Sequence, residues 1–370
     1  MATKYTSEWV SLGHPDKIAD YISEHILDKY IEYDPNTRYA VEVQIKDNFV
    51  SIAGEVTSNA KFNKEQILNL AREAVNAIGY TKKYQNKFGK ECTICGDDLE
   101  GVVHIGQQSG NIAAGVNKDA WGDQGIFFGY YCGETENGHG LDYQIAKSIG
   151  MSLYNKALYN DHLPIGLDIK TQATIEVDEH GEYEVREIIV AVPTVPGTEV
   201  AKVRRIVRNT IKELYPEAIK AKLIINGTGQ YHIPGPIGDS GTTGRKLVVD
   251  FYGSRSRIGG GSPWTKDGTK ADLTLNMFAH ACAKEFYKDI QKITGRCHHA
   301  EVQLSCCIGR QEVLCVVQAF DHSGVIIAST SNTEKIPPSH LIKTFQLDRP
   351  IYRELCKQGL FTKIYKEELN

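Results

Sequence analysis

Apolar positions in this chain follow two periods in turn, and the order in which they alternate repeats. Ile18, Ile22, Ile26 and Tyr30 recur every fourth residue. That spacing predicts a helix over about 16–33, with Pro15 suited to its first turn. From Thr37 the period drops to two. Tyr39, Val41, Val43 and Ile45 share one face of a predicted strand, Asp47-Asn48 marks a turn, and 49–57 returns as a second strand. A helix over 63–79 follows, opened by Asn63 and Gln66 as a capping box and closed by Gly79.

The same order appears twice more. A helix over 141–160 precedes a hairpin over 171–193 that turns at His180-Gly181, and a helix over 199–215 ends before Pro216. A helix over 270–293 then precedes a hairpin over 300–320 that turns near Gly309-Arg310, and a helix lies near 340–345. The three turns are about a third of the 370 residues apart. The pattern predicts an α+β fold of three structurally similar units in a pseudo-threefold arrangement, each an antiparallel sheet with helices on one face. The expected divisions are 1–107, 115–232 and 233–370, with 108–122 as a joining loop and with structural domains that exchange segments. Each sheet keeps one face free of its own helices. Those faces pack on each other or on a second chain, and a homo-oligomer is the simpler expectation.

Charge narrows the function. The 42 basic and 46 acidic residues give −4, which lacks the basic footprint of a general nucleic-acid binder. No apolar run nears the ~18 residues that read as a membrane span, and the start, MATKYTSEWV, has no apolar signal core. We therefore expect a cytoplasmic protein with no nucleic-acid or membrane partner. Nine cysteines are an odd number and too few for a disulfide-built scaffold. Cys92 and Cys95 form a lone CxxC with no second pair, and His104 stands alone, so they read as ordinary thiols. His298-His299 reads as strand-edge surface.

The loops carry the chemistry. Four are rich in glycine and charge: Gly13–Lys17; Gly122–Gly125; Gly238–Lys246; and Gly259–Gly261 continuing through Lys266, Lys270 and Asp272. Glycines let backbone amides approach anionic oxygens, and the lysines and Arg245 add charge, a combination suited to polyphosphate. The spacing is not that of a Walker loop, and no GxGxxG occurs. Asp16 and Asp272 begin predicted helices. They are either partners of the helix dipole or, beside polyphosphate, Mg²⁺ ligands. Glu42 and Glu55 project to one side of their hairpin, opposite Val41, Val43 and Val56. That is either a solvated face or a seat for a cationic ligand.

Together these stretches resemble the S-adenosylmethionine synthases (methionine adenosyltransferases). The matches are GHPDKIAD at 13–20, GDQG at 122–125, GDSGTTGRK at 238–246 continuing to VVDFYG, and the GGG…KD.TK.D pattern at 259–272. They stand in family order across nearly the whole chain. The resemblance implies three similar α+β domains and synthesis of S-adenosylmethionine from ATP and L-methionine. The methionine sulfur attacks C5′ of ATP, and the released tripolyphosphate is then hydrolysed to pyrophosphate and phosphate. It implies Mg²⁺, two per site, and K⁺. It also implies a dimer or dimer of dimers with active sites at the dimer interface.

Carried onto this sequence, the resemblance puts His14 at the ribose O5′, assisting the leaving oxygen. Lys170, Arg245, Lys246 and Lys266 would contact phosphates. Asp168, Gln230, Tyr231, Asp239 and Ser262 would complete the ATP site. Glu55, Gln108, Asp239 and Lys270 would bind methionine. Asp16 and Asp272 would hold Mg²⁺ and Glu42 would hold K⁺, with Lys17 and Asp123 nearby. Several positions depart from the family pattern. Gln230 and Leu273 stand where arginines are usual, Tyr231 replaces a phenylalanine, 107–111 lacks the usual lysine, proline and aspartate, and the gate loop from Gln108 to Gly122 is short. Arginine offers bidentate phosphate contacts that leucine cannot, so weaker tripolyphosphate cleavage or a relaxed substrate range is expected. Two further readings stay open: an enzyme of the same fold acting on another thioether or nucleotide, and a non-catalytic binding subunit.

Overall fold

The computed structural model describes residues 2–107, 119–178 and 181–361. Gln108, most of the expected gate loop and His180 lie outside the described residues.

The first helix, α1 (Pro15–Tyr33), forms where the fourfold apolar spacing requires it, with His14 as N-cap. Its burial goes further than that stripe. Ile18, Ile22 and Ile26 are fully enclosed, and so are Asp16, Lys17, Asp20, Glu24 and Asp28. An ordinary surface helix would turn these charges to water. Here the acids accept backbone N–H groups from distant loops, which satisfies them inside the protein.

The hairpin of β2 (Arg38–Lys46) and β3 (Phe49–Thr57) turns at Asp47, whose φ of +53° is one that aspartate tolerates. The capping box of α2 (Lys64–Ile78) is complete: Gln66 N donates to Asn63 Oδ1 at 2.9 Å, and Asn63 N donates to Gln66 Oε1 at 2.8 Å. Gly79 ends the helix in the left-handed region. A short α3 (Lys82–Phe88) follows. The later helices are α4 (Leu141–Tyr159), α5 (Val200–Leu214), α6 (Ala271–Thr294), α7 (Pro338–Thr344) and α8 (Tyr352–Gln358).

Three four-stranded sheets result, and each is built around one expected hairpin. The other strands are β1 (Thr3–Val10), β4 (Glu100–Gly106), β5 (Gly125–Cys132), β6 (Lys170–Val177), β7 (Tyr183–Ala191), β8 (Lys222–Ile225), β9 (Gly241–Thr242), β10 (His299–Cys306), β11 (Glu312–Phe320) and β12 (Ile326–Lys335). The orders are β9-β2-β3-β4, β1-β6-β7-β8 and β5-β10-β11-β12. In each, the leading strand pairs antiparallel with the hairpin and comes from a remote part of the chain.

The expectation of wholly antiparallel sheets needs correcting at two places. β4 runs parallel to β3, and β8 parallel to β7. In both cases the chain leaves the hairpin, makes a helical crossover and re-enters in the same direction. β12 follows β11 through a tight turn at 321–325 and is antiparallel. His298-His299 also differs from expectation. β10 lies between β11 and β5, so it is not an edge strand. His298 sits 3.4 Å from Glu134, and His299 stacks on Phe320. Cys92 and Cys95 are free thiols, as are the other cysteines among the described residues.

Each long helix covers one face of its sheet: α1 lies on β2, α4 on β1 and β6, and α6 on β5 and β10. The closest approach is at Gly129, where a methyl group would lie 2.0 Å from the Ala279 carbonyl oxygen in α6. Backbone cannot yield there as a flexible side chain would. Gly129→Val should therefore cost about 1–3 kcal/mol from overpacking. A lowered urea midpoint would show it, and an unchanged midpoint would mean that α6 shifts freely.

Candidate active site

The N-terminal end of α1 meets two loops that are far away in sequence. The 238–246 loop is held by Thr242 N donating to Asp16 Oδ1 at 2.9 Å and Gly244 N donating to Asp20 Oδ1 at 2.8 Å. The 262–272 loop is held by Thr265 N donating to Glu24 Oε1 at 2.5 Å. From the sheet side, Glu42 accepts the hydroxyls of both Thr243 and Thr265, the latter at 3.2 Å. Thr265 has φ of +73°, a costly conformation for a β-branched residue. The Glu24 and Glu42 bonds hold it there, and an isolated bridge pairs its neighbour Lys266 with Ala40. The glycine-rich loops are thus pinned by buried acids, one turn apart on α1. Burial pushes Glu24 well above the usual carboxylate range and moves Asp20 up to about 6, although Lys17 opposes the latter shift.

The pinned loops bring cations and carboxylates together. Lys246 Nζ lies 2.5 Å from Asp16 Oδ2, and Arg245 Nε lies 3.7 Å from Asp16 Oδ1. Burial disfavours the Asp16 charge, but the bonds from Lys246 and Thr242 outweigh it and hold the carboxyl below its ordinary range. Lys266 Nζ lies 2.5 Å from Asp272 Oδ2. Gly261 is packed so closely that a methyl group would meet Asp272 Oδ1 at 1.9 Å, and a methyl group on Gly244 would meet Ser262 Cβ at 3.0 Å. Lys270 stands at the N-cap position of α6, and its ammonium pairs with Asp267 at 3.0 Å. Such lysine–carboxylate pairs can part when a polyanion takes the ammonium and a metal ion takes the carboxylate.

Some expected residues are placed otherwise. The ammonium of Lys17 faces the core, 2.6 Å from Asp250, 3.0 Å from Asp20 and 4.7 Å over the Trp264 ring. It is spent on structure and does not reach the loops' open side. Leu273 is fully buried in the first turn of α6, so its side chain leaves no gap among the cations. Gln230 does line the same cavity as His14, Asp168 and Tyr231, where it is tied to His232 and to the Thr198 carbonyl. Neither nearby arginine substitutes for the missing ones. Arg255 is buried between Glu134 and Asp142 with its guanidinium over Tyr5, and Arg257 pairs with Glu301.

Beside the cations lies a cavity of about 460 Å³ whose walls include His14, Asp168, Lys170 and Tyr231. Ile189 and Ile224 line it from the second sheet. His14 is 3% exposed. Its Nδ1 accepts Asp16 N at 3.2 Å, so the neutral ring carries its proton on Nε2. Burial, then Lys170 and Lys246, lower its pKa to about 3. His14 can donate a hydrogen bond at neutral pH without carrying charge. Asp168 accepts from Tyr231 Oη and Gly235 N. Asp239, at the cavity rim, accepts from Ser240 N.

Glu55 lies on the helix-free face of the first sheet, on the same side as Glu42, as the alternation predicts. It stands opposite Ala40, which is itself bridged to Lys266, so Glu55 is in register with Lys266. Asp123 is exposed just before β5 and accepts Gln124 N. The sequence reading missed Asp20, Glu24, Thr243 and Thr265 as supports. The signal was present: acids at 16, 20, 24 and 28 form a second fourfold stripe beside the isoleucines.

Family models match the chain along most of its length. The S-adenosylmethionine synthetase N-terminal domain matches residues 2–109, the central domain 118–231 and the C-terminal domain 233–368. Among solved structures, an unusual S-adenosylmethionine synthetase from Campylobacter jejuni is similar over 99% of this chain and 97% of its own. The TM-score is 0.88 at 32% identity.

Proposed function

Because the chain belongs to the S-adenosylmethionine synthetase family, we propose that it joins ATP and L-methionine by attack of the methionine sulfur on C5′, releasing tripolyphosphate, which it then hydrolyses to pyrophosphate and phosphate. The observation that carries this reading is the junction of two surfaces. A neutral, buried His14 lines an apolar-floored cavity with Lys170, next to Asp16 and the Lys246 and Arg245 that pair with it, while Lys266 pairs with Asp272 on the other pinned loop. The cavity suits a nucleoside and the cluster suits its phosphates.

In this reading His14 Nε2–H donates to the O5′ oxygen as the C–O bond breaks. A preorganised donor aimed at developing charge is worth most where water is excluded. Lys246 and Lys266 transfer from Asp16 and Asp272 to phosphate oxygens. The freed carboxylates fit Mg²⁺, which favours one or two carboxylates with phosphate and water. Bound there, Mg²⁺ would neutralise the charge of the leaving group. Glu42, with the Thr243 and Thr265 hydroxyls, offers oxygen donors alone, as K⁺ prefers. Glu55 would hold the methionine ammonium, with Asp239 and Lys270 at the same substrate and Ser262 at the nucleotide. Gln108, expected with them, lies outside the described residues. Gln230 lacks an arginine's charge, which supports slower tripolyphosphate hydrolysis.

Assembly follows the same logic. The face holding Glu42 and Glu55 is the sheet's helix-free one, where Val102 is 53% exposed. A second copy laid on that face would enclose the methionine end of the site. Sedimentation at assay concentration would read a dimer or a dimer of dimers, and a monomer with full activity would remove this part of the proposal.

The direct test follows S-adenosylmethionine, phosphate and pyrophosphate by mass spectrometry with ATP, methionine, Mg²⁺ and K⁺. Sulfonium product with both phosphates supports the whole reading. Sulfonium product with free tripolyphosphate places the defect at hydrolysis, and no sulfonium product overturns the reading. Lys266→Met removes one charged donor, a loss of about 1.5–3 kcal/mol. kcat/KM for ATP should then fall roughly 10- to 100-fold, whereas an unchanged value would remove Lys266 from the phosphates.

A further inference from the structure

A second cavity, of about 600 Å³, opens between α4 and α8 and shares no residue with the nucleotide cavity. Trp9, Leu12, Met151, Tyr154 and Tyr159 give it an aromatic and apolar wall. Gly150 lets the indole lie against α4, since a methyl group there would meet the Trp9 ring at 2.4 Å. An apolar space of this size with a few polar groups has the form of a small-molecule site.

Lys147, on α4, supplies the polar group. It is half-buried, and its Nζ donates to the Gln358 carbonyl oxygen at 2.7 Å, where α8 ends. The ammonium also lies 5.9 Å from the centre of the Tyr143 ring. An ammonium has three N–H donors. Among the described residues Lys147 has that one carbonyl as acceptor, and no carboxylate pairs with it. Asp250, whose charge reaches it, is taken by Lys17 at 2.6 Å. Burial outweighs the help from Asp250 and lowers the Lys147 pKa to about 8. An anion in the cavity would relieve that cost.

The cavity also says which anion. Its charged lining residues are Lys147, Lys357, Glu136 and Glu354, which balance. A phosphate with two or more charges would face two acids, whereas a single carboxylate matches the one ammonium with donors to spare. An aromatic or apolar body matches Trp9, Met151 and Tyr159. We propose that this cavity is a second small-molecule site, which takes a monocarboxylic acid with an aromatic or apolar body, its carboxylate on Lys147 and its body against Trp9. Leu12 in the wall places the occupant two residues from His14.

Proton linkage identifies the contact. A carboxylate beside Lys147 favours the ammonium, so binding raises its pKa. Below about pH 7 the lysine is charged in both states and affinity is flat. Above about pH 8 the free protein has lost the proton, and affinity falls by up to tenfold per pH unit. The other titratable groups that line the cavity or reach Lys147 are Glu136, Asp250, Glu354 and Lys357, with His139 and Tyr143. Burial and Lys147 lower His139 to about 3, and burial pushes Tyr143 up, so both are neutral in this range.

The experiment is calorimetry on the full chain with 3-phenylpropionate, its amide 3-phenylpropanamide, and L-phenylalanine, with L-methionine saturating so that the probes do not report on the proposed active site. The acid should bind at one site per chain, and its binding heat at pH 8 should vary with the ionisation enthalpy of the buffer. The amide should bind at least about tenfold more weakly, as should the acid to Lys147→Met. Lys147→Arg should keep the affinity and lose its fall above pH 8, because arginine stays charged. L-phenylalanine separates two sources of the same chemistry. Affinity equal to or tighter than that of the acid assigns the site to α-amino acids, and weaker affinity assigns it to acids without an ammonium. The proposal is overturned by an amide that binds as well as the acid, by Lys147→Met binding the acid as the wild type does, or by no saturable binding of the acid. The comparison of acid with amide uses the wild type alone, so it decides even if Lys147→Met does not fold.

Discussion

His14→Ala is expected to lower kcat by about 10²–10³, the range seen when one donor to a developing anion is removed. The residue has two jobs. As N-cap of α1 it accepts Asp16 N, and losing a side-chain cap costs about 1 kcal/mol. In the proposed reaction it would also serve the leaving oxygen as a neutral donor. His14→Asn separates the two, because asparagine caps as well but has a shorter reach. We expect the asparagine variant to keep the wild-type thermal midpoint and still lose most of kcat. Recovery of kcat with the cap would assign His14 to structure alone. The pH profile offers a second check. With a pKa near 3, His14 becomes charged only as pH falls toward that value. It is fully neutral from about pH 5 to 8, so any limb of the profile in that window belongs to another group and should persist in His14→Asn.

Lys17→Met should be the most destabilising single change, by about 3–5 kcal/mol, as when a buried ion pair loses one partner. The Lys17 ammonium is held 2.6 Å from Asp250 and 3.0 Å from Asp20, all within the core. Burial opposes its charge, yet Asp20 and Asp250 together raise its pKa well above the ordinary lysine value. Methionine would fill the volume but leave two buried carboxylates facing each other. The damage should spread to catalysis, because Asp20 also fixes Gly244, next to Arg245. A urea titration would show the fall in midpoint. Lys17→Met combined with Asp250→Asn should recover part of it. If the single variant unfolds at the wild-type midpoint, the carboxylates take up protons or water at little cost, and the network is not what binds α1 to the loops.

The sequence displayed the local elements well because their signals are local. The hairpin turns at Asp47 and Gly309 fall where the pattern puts them, both with positive φ, and the Asn63 capping box is complete in both directions. Strands β1, β5 and β9 escaped notice because their partners are remote, and β9 is too short to show a period. Lys17 was expected near the site because its motif also holds His14 and Asp16, while only the packing reveals Asp250 on its other side. The acids of α1 were visible as letters, but their backbone partners at 242, 244 and 265 belong to loops that no periodicity relates to residue 24. The contact of Tyr231 with Asp168 joins residues 63 positions apart and could be seen only in three dimensions.

The exchange of leading strands among the sheets bears on how the protein is made. As the chain leaves the ribosome, β1 emerges first and has no edge to join until β6 is synthesised, since Val10 pairs with Lys170. The first hairpin waits for Gly241 and Thr242. β5 stays unpaired until residues 299–306 appear. Each nascent third therefore exposes an unsatisfied strand or edge while the next is being built. Late, non-local pairing slows folding and leaves such edges open to neighbouring chains. Yield in a cell should therefore be limited by shielding during translation rather than by the finished fold, and fragments cut at the family-domain boundaries should aggregate when expressed alone yet fold when expressed as one chain.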